Sequence, residues 1–174
     1  MYPVAITAGN TFVLKPSEAV AGASNLLIEL LHKAEVPPGV VNMVHGGRPT
    51  VERMIEHPDI KAISFVGGNV AGENIYMKAN AKGKRVQSNM GAKNHGIIMP
   101  DANKKDTLNA LVGSSMGASG QRCMALSTAV FVGNTADWIP ELVERCKNLK
   151  LGHGRDPATD IGPVVNRAAY NRVV

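Results

Sequence analysis

Apolar positions alternate between two periods along the first half of the chain. Short runs rich in β-branched residues, Asn10–Leu14, Val40–Val44, Lys61–Val66 and Lys84–Gln87, read as strands. Between them, apolar residues recur three and four positions apart, as Leu26, Leu27, Leu30 and Leu31 do within Val20–Ala34. Val51, Met54 and Ile55 predict a further helix, with Thr50 as its cap and Pro58 as its stop. Gly67-Gly68 turns the third strand into a helix over Asn69–Ala81. Asn10–Leu14 reads as a buried strand, and Met1-Tyr2-Pro3 leads into a segment that also reads as buried. Strands separated by helices of this length predict βαβ units with right-handed crossovers and a parallel sheet over residues 1–89.

The pattern changes near Asn89–Gly91. Ile97–Met99 reads as a short strand closed by Pro100, and Asp101 or Asn103 caps a helix to about Met116. A loop of small residues, Gly117–Gly120, precedes Gln121-Arg122-Cys123. Ala129–Val132 is apolar, Trp138–Leu149 is an amphipathic helix, and Gly152–Gly162 is rich in turn residues. Residues 163–174 begin another helix. The boundary separates 1–89 from 90–174, and both chain ends read as cuts through a larger protein.

Composition narrows the class. Of 174 residues 44% are hydrophobic and 19% charged, which suits a folded chain. Aromatic residues are only 4%, so the core is aliphatic. Two cysteines, Cys123 and Cys146, and no C-x-x-C pair speak against a disulfide scaffold and against a structural metal site. No apolar run approaches the ~20 residues of a membrane span, and the N-terminus lacks the pattern of a secretory signal. A reducing, intracellular compartment is expected. The net charge of +5 is local in origin: Lys78, Lys82, Lys84, Arg85, Lys93, Lys104 and Lys105 face Asp101 alone. This cluster suits an anionic ligand or a solvated face. Without interleaved aromatic residues it does not suit nucleic acid.

Three places carry candidate chemistry. A strand running through Gly67-Gly68 into a helix presents backbone N–H groups to a phosphate, although G-G-x-x-x-G is neither a dinucleotide fingerprint nor a P-loop, and a plain turn reads equally well. Lys15 and Glu18 follow the first strand, where a parallel sheet binds ligands, and equally suit capping roles. Cys123 follows a loop of small residues and stands behind Arg122. It is either a nucleophile with a thiolate favoured by its surroundings or a buried, inert thiol. Cys146 reads as a packing residue, and His45 and His95 as loop or core histidines in preference to acid–base groups.

Taken in order, these segments resemble the aldehyde dehydrogenase superfamily. GNTFVLKPSE resembles its adenosine-contacting strand and turn, PPGVVNMVHG the next strand, and ISFVGGNVAG the strand and helix over the dinucleotide. SNMGAKN resembles the Glu-Leu-Gly-Gly-Lys segment, GQRCMA the nucleophile loop, and ELVERCKNLKLGHGRDPATDIGPVV the stretch after it. The resemblance implies an α/β fold: a Rossmann-like, parallel-sheet NAD-binding portion over 1–89, then the start of a catalytic domain over 90–174. It implies Cys123 as nucleophile, with its own N–H in the oxyanion hole, and Lys15, Glu18, Gly67, Gly68 and Met90 as the NAD contacts. Gly68 stands where many members carry a serine that reaches the pyrophosphate.

Asn89 departs from most members, which have a glutamate there to activate water. NMGAKNHG, MPDAN and GQRCMALSTAV resemble the CoA-acylating, methylmalonate-semialdehyde branch. An asparagine cannot act as a base for water, so a thioester is left for a thiol acceptor. That branch implies a small semialdehyde as substrate, coenzyme A as co-substrate, and Arg122 as partner of the substrate carboxylate. It also implies a homotetrameric parent, mitochondrial in a eukaryote and cytoplasmic in a bacterium, of which this chain is an internal fragment. The alternatives are a hydrolysing dehydrogenase that yields a free acid, and an inactive fragment with at most nucleotide or partner binding.

Overall fold

A computed structural model describes residues 1–174 as two compact units, Met1–Met90 and Gly91–Val174. The first unit runs α1 (Tyr2–Thr7), β1 (Phe12–Leu14), α2 (Ala21–Lys33), β2 (Val41–Met43), α3 (Arg48–Glu56), β3 (Ala62–Val66), α4 (Asn69–Ala81) and β4 (Arg85–Asn89). The second runs β5 (Asn94–Ile98), α5 (Lys104–Met116), β6 (Leu126–Phe131), α6 (Ile139–Lys147) and α7 (Arg167–Val173). A one-turn helix at Gly117–Gly120 follows α5.

All strand pairing is parallel: β1 with β2, β3 with β4, and β5 with β6. The single sheet predicted for residues 1–89 is instead two parallel pairs, because β2 and β3 share no ladder. In doubly wound sheets, consecutive strands on either side of a switch point are not neighbours. Val66 lies opposite Asn89, which ends β3 and β4 level with each other.

Each unit has its own core. In the first, α3 and α4 cover β3 and β4: Ile55, Ile75 and Ala79 are buried against Val51, Ile63, Phe65 and Val86. In the second, Ile98, Leu108 and Leu111 are buried against Leu126, Ala129, Phe131, Trp138 and Leu142. Fully burying such a side chain contributes about 1.5–3 kcal/mol, so Ile55 and Leu108, both at 0% exposure, are central to their units. Lys84 is buried too, and its ammonium donates to the carbonyls of His57 at 2.5 Å and Ile60 at 2.7 Å. It thereby satisfies the chain end beyond α3 in place of an ion pair.

The structure corrects several sequence expectations. Residues 2–7 form a helix with Pro3 in its first turn and no buried residue, not a buried segment. Tyr2 docks it edge-to-face on Phe12, ring centroids 6.3 Å apart. β1 is half-exposed rather than buried, with Val13 on its open face. Thr50 lies inside α3, whose N-cap is Gly47, because Pro49 fits the first turn and lets the helix start earlier. Of the two cap candidates for α5, Asn103 is the one used: its Oδ1 accepts from the Asp106 N–H at 3.1 Å. β4 extends two residues past Gln87 and β5 begins three before Ile97, because both are set by their partners' register.

The basic cluster is largely engaged internally. Lys78 and Lys82 pair with Glu52 and Glu56, one helical turn apart on α3, each at 2.7 Å. Lys104 pairs with Glu141 of α6 at 2.8 Å. No helix is long and apolar enough to cross a membrane.

Candidate active site

In the first unit, the candidate side chains sit at the C-terminal ends of the strands. Lys15 follows β1 directly. Its ammonium donates to the carbonyls of Pro16 at 2.5 Å and Gly46 at 2.9 Å, and lies 3.7 Å from the Glu18 carboxylate. Ser17, not Glu18, caps a one-turn helix over Glu18–Val20, by accepting from the Ala19 N–H. Glu18 is therefore left exposed, with its carboxylate beside Gly47. His45, beyond the end of β2, bonds to Asn25 of α2 at 2.9 Å and so is a loop histidine in contact with a helix. Lys15, Glu18 and the β2–α3 turn form one polar cluster.

Gly67 and Gly68 end β3 and open α4. The Gly67 N–H donates to the Asn89 carbonyl at 3.1 Å, which ties the turn to the end of β4. A side chain at Gly67 would meet the Phe65 ring, 2.5 Å from Cζ, so packing and not a left-handed backbone requires glycine there. Gly68 is the N-cap and offers no side-chain cap. Met90 packs on Gly72 of α4, where a Cβ would stand 2.5 Å from Met90 Cγ and 2.9 Å from Ser88 Oγ. Ser88 Oγ donates to the Gly72 carbonyl at 3.1 Å, so Asn89 sits between two residues fixed against α4.

The Cys123 loop belongs to the second unit. Ala118 (φ 51°), Ser119 (φ 55°) and Gly120 (φ 69°) form a left-handed run after α5. Two of these are not glycine, and each such residue costs roughly 1–2 kcal/mol. Tethers from residues 162–165 hold the run: Ser119 Oγ donates to the Gly162 carbonyl at 2.5 Å, and Gln121 Oε1 accepts from the Val165 N–H at 3.0 Å. Cys123 is exposed, which removes the buried-thiol reading, and its N–H takes part in no backbone hydrogen bond. Its carbonyl accepts from Asn94 Nδ2 at 2.7 Å. Arg122 folds over Gly117 and joins none of the ion pairs. Cys146 is half-buried on α6.

Sequence reasoning missed Asn94, Ser119, Gln121, Gly117 and Gly72. Each acts on a named neighbour through the fold, and only the density of small residues around 113–120 hinted at close packing there. No group of three or more His, Cys, Asp or Glu is placed to hold a metal.

Comparison with known proteins agrees over the whole length. The aldehyde dehydrogenase family profile matches residues 1–174. A Drosophila melanogaster protein named "Probable methylmalonate-semialdehyde/malonate-semialdehyde dehydrogenase (acylating), mitochondrial" is 60% identical over 173 residues, which is 99% of this chain and 33% of that protein. The crystal structure of methylmalonate-semialdehyde dehydrogenase from Oceanimonas doudoroffii superposes with a TM-score of 0.88 at 43% identity, covering 99% of this chain and 36% of that one. A Sinorhizobium meliloti 1021 structure, described as a "putative methylmalonate-semialdehyde dehydrogenase" complexed with NAD, also gives 0.88, at 44% identity and the same coverage. The chain spans about a third of the length of the curated relatives it matches.

Proposed function

The chain belongs to the aldehyde dehydrogenase family, and we propose that the protein it forms part of is an NAD-dependent, CoA-acylating semialdehyde dehydrogenase that works through a thioester on Cys123. The observation that carries this reading is the Cys123 loop. It holds an exposed thiol just after a strained left-handed run and next in sequence to an arginine that joins no ion pair.

In this account the Cys123 thiolate attacks the aldehyde carbon, and the Cys123 N–H stabilises the developing oxyanion. The Arg122 guanidinium takes the substrate's carboxylate with its planar fork of donors. The residues of the first unit fit a dinucleotide. Glu18 is an exposed acceptor beside the Lys15 ammonium, for ribose hydroxyls. The start of α4 has no side-chain cap and suits the pyrophosphate through backbone N–H groups of its first turn, with Gly67 and Gly68 keeping the approach free of side chains while the Gly67 N–H stays on the Asn89 carbonyl. Met90 takes the nicotinamide side. NAD, when bound, supplies the hydride acceptor that turns the Cys123 adduct into a thioester.

Asn89 then sets the outcome. A carboxylate at this position serves as a base for water, whereas an amide has no basic site. The thioester therefore persists until the thiol of coenzyme A displaces Cys123 Sγ. The acyl product leaves as propionyl-CoA or acetyl-CoA, with loss of carbon dioxide from methylmalonate or malonate semialdehyde. The names of the relatives support this substrate class, and in a eukaryotic host they support a mitochondrial location. A homotetramer completes the proposal.

The test is turnover of the semialdehyde by the protein at its full coding length, with NAD and with or without coenzyme A. Cys123→Ala should fall to background while Cys146→Ala stays within about twofold of wild type, since a half-buried helix cysteine takes no part. Full activity in Cys123→Ala contradicts the nucleophile. Equal wild-type rates without coenzyme A contradict the acylating assignment and favour hydrolysis.

A further inference from the structure

We infer that Asn94 is a positioning residue for the Cys123 thiol. The inference rests on the reading of Cys123 as the nucleophile and deepens it. Asn94 Nδ2 donates to two carbonyls of the loop, Cys123 at 2.7 Å and Ala125 at 3.0 Å. Both partners are acceptors, so only the NH2 end of the amide can face them, and both of its hydrogens are used.

The register of the sheet explains why a side chain does this. Asn94 lies opposite Leu126, but His95 lies opposite Thr128, so Ser127 is an extra residue on β6. Such a bulge interrupts the ladder, and residues 123–125 lie beyond its paired end. The Asn94 amide replaces the missing ladder bonds, and Ser127 Oγ donates back to the Asn94 carbonyl at 3.2 Å. The Ala125 N–H closes onto the Arg122 carbonyl at 3.1 Å, so the clamp spans the turn that presents the thiol.

Upstream of Cys123 the chain is in the strained left-handed run, tethered through Ser119 and Gln121. Asn94 is the side chain that holds the carbonyl of Cys123 itself. Without it, the loop can relax away from the geometry that points Sγ at the substrate. A misplacement on the order of 1 Å costs about 100-fold in rate.

The experiment uses the protein at its full coding length, mixed rapidly with semialdehyde and NAD in the absence of coenzyme A. The burst of NADH then times thiol attack together with the hydride transfer that follows it, and its amplitude counts folded sites. Asn94→Ala deletes the donors. Asn94→Asp keeps the shape and provides acceptors only, so it stands in if the alanine variant does not fold. The expected result in either folded variant is a burst rate about 10- to 100-fold lower, with KM for NAD within about twofold of wild type. A merely structural role lowers the burst amplitude and the melting temperature and leaves the rate per site unchanged. Burst rates within twofold of wild type, with no burst in Cys123→Ala, overturn the inference alone. A wild-type burst in Cys123→Ala overturns the nucleophile assignment and the inference with it.

Discussion

The Arg122 guanidinium lies over Gly117, so close that a Cβ on Gly117 would stand 2.7 Å from Arg122 Cζ. Gly117 has φ −57° and ψ 137°, an ordinary conformation for any residue, so alanine there strains no backbone. Gly117→Ala should displace only the guanidinium. Hydrogen bonds to charged groups contribute about 1.5–3 kcal/mol, so KM for a carboxylate-bearing semialdehyde should rise roughly tenfold or more. KM for an uncharged aldehyde of similar size should stay nearly constant. Equal changes for both substrates would show that Arg122 does not read the carboxylate.

Asn89→Glu should convert part of the thioester flux to hydrolysis. Asn89 ends β4, its carbonyl held by the Gly67 N–H, so the substitution leaves the strand pairing intact. A positioned general base contributes about 10²–10⁴-fold, and even imperfect placement should raise the CoA-independent rate at least about tenfold. Free acid measured by chromatography in the absence of coenzyme A reports this directly. An unchanged CoA-independent rate would place the control of water elsewhere.

Lys84→Met should destabilise the first unit without touching Lys15, Glu18 or the Gly67-Gly68 turn. The methionine keeps the apolar stem but leaves the carbonyls of His57 and Ile60 without their donor. Hydrogen bonds to a charged donor contribute about 1.5–3 kcal/mol each, and these two are part-buried, so a loss of about 2–4 kcal/mol is expected in urea unfolding. A loss under about 0.5 kcal/mol would mean that water replaces the ammonium.

The ion pairs joining helices should give stability an acid limb. The Lys78 ammonium on its carboxylate holds Glu52 below the usual glutamate range, and Lys104, followed by Arg145, does the same for Glu141. A carboxylate with a depressed folded pKa adds stability that is complete above its unfolded value of 4.5 and is lost as pH falls through the folded value. Urea midpoints should therefore drop below about pH 4.5, less steeply in Glu52→Gln than in wild type. Parallel pH profiles for the two proteins would remove Glu52 from the account.

The sequence was most legible where local chemistry decides structure. α4 runs over Asn69–Ala81 as its pattern predicts, because Gly68 opens it and Gly83, with φ +72°, follows its end. It was least legible where tertiary contacts decide. β4 reaches Asn89 because Val66 pairs with it, and no propensity in Ser88-Asn89 announces a strand. α1 escaped notice because six residues with Pro3 carry no repeat of the helical period. In the site, the chemistry of Cys123 and Arg122 stood out by residue type. The clamp from Asn94 did not, because an asparagine between Lys93 and His95 has no pattern until the chain beyond the bulge at Ser127, four residues after Cys123, gives it partners.

The most direct test of the central claim is peptide mass spectrometry of the full-length protein, quenched in acid after reaction with methylmalonate semialdehyde and NAD without coenzyme A. The account predicts a propionyl adduct on the peptide containing Cys123, none on the peptide containing Cys146, and disappearance of the adduct as propionyl-CoA forms when coenzyme A is added before the quench. An unmodified Cys123 in protein that still reduces NAD, or an adduct that water removes as fast as coenzyme A does, would contradict it.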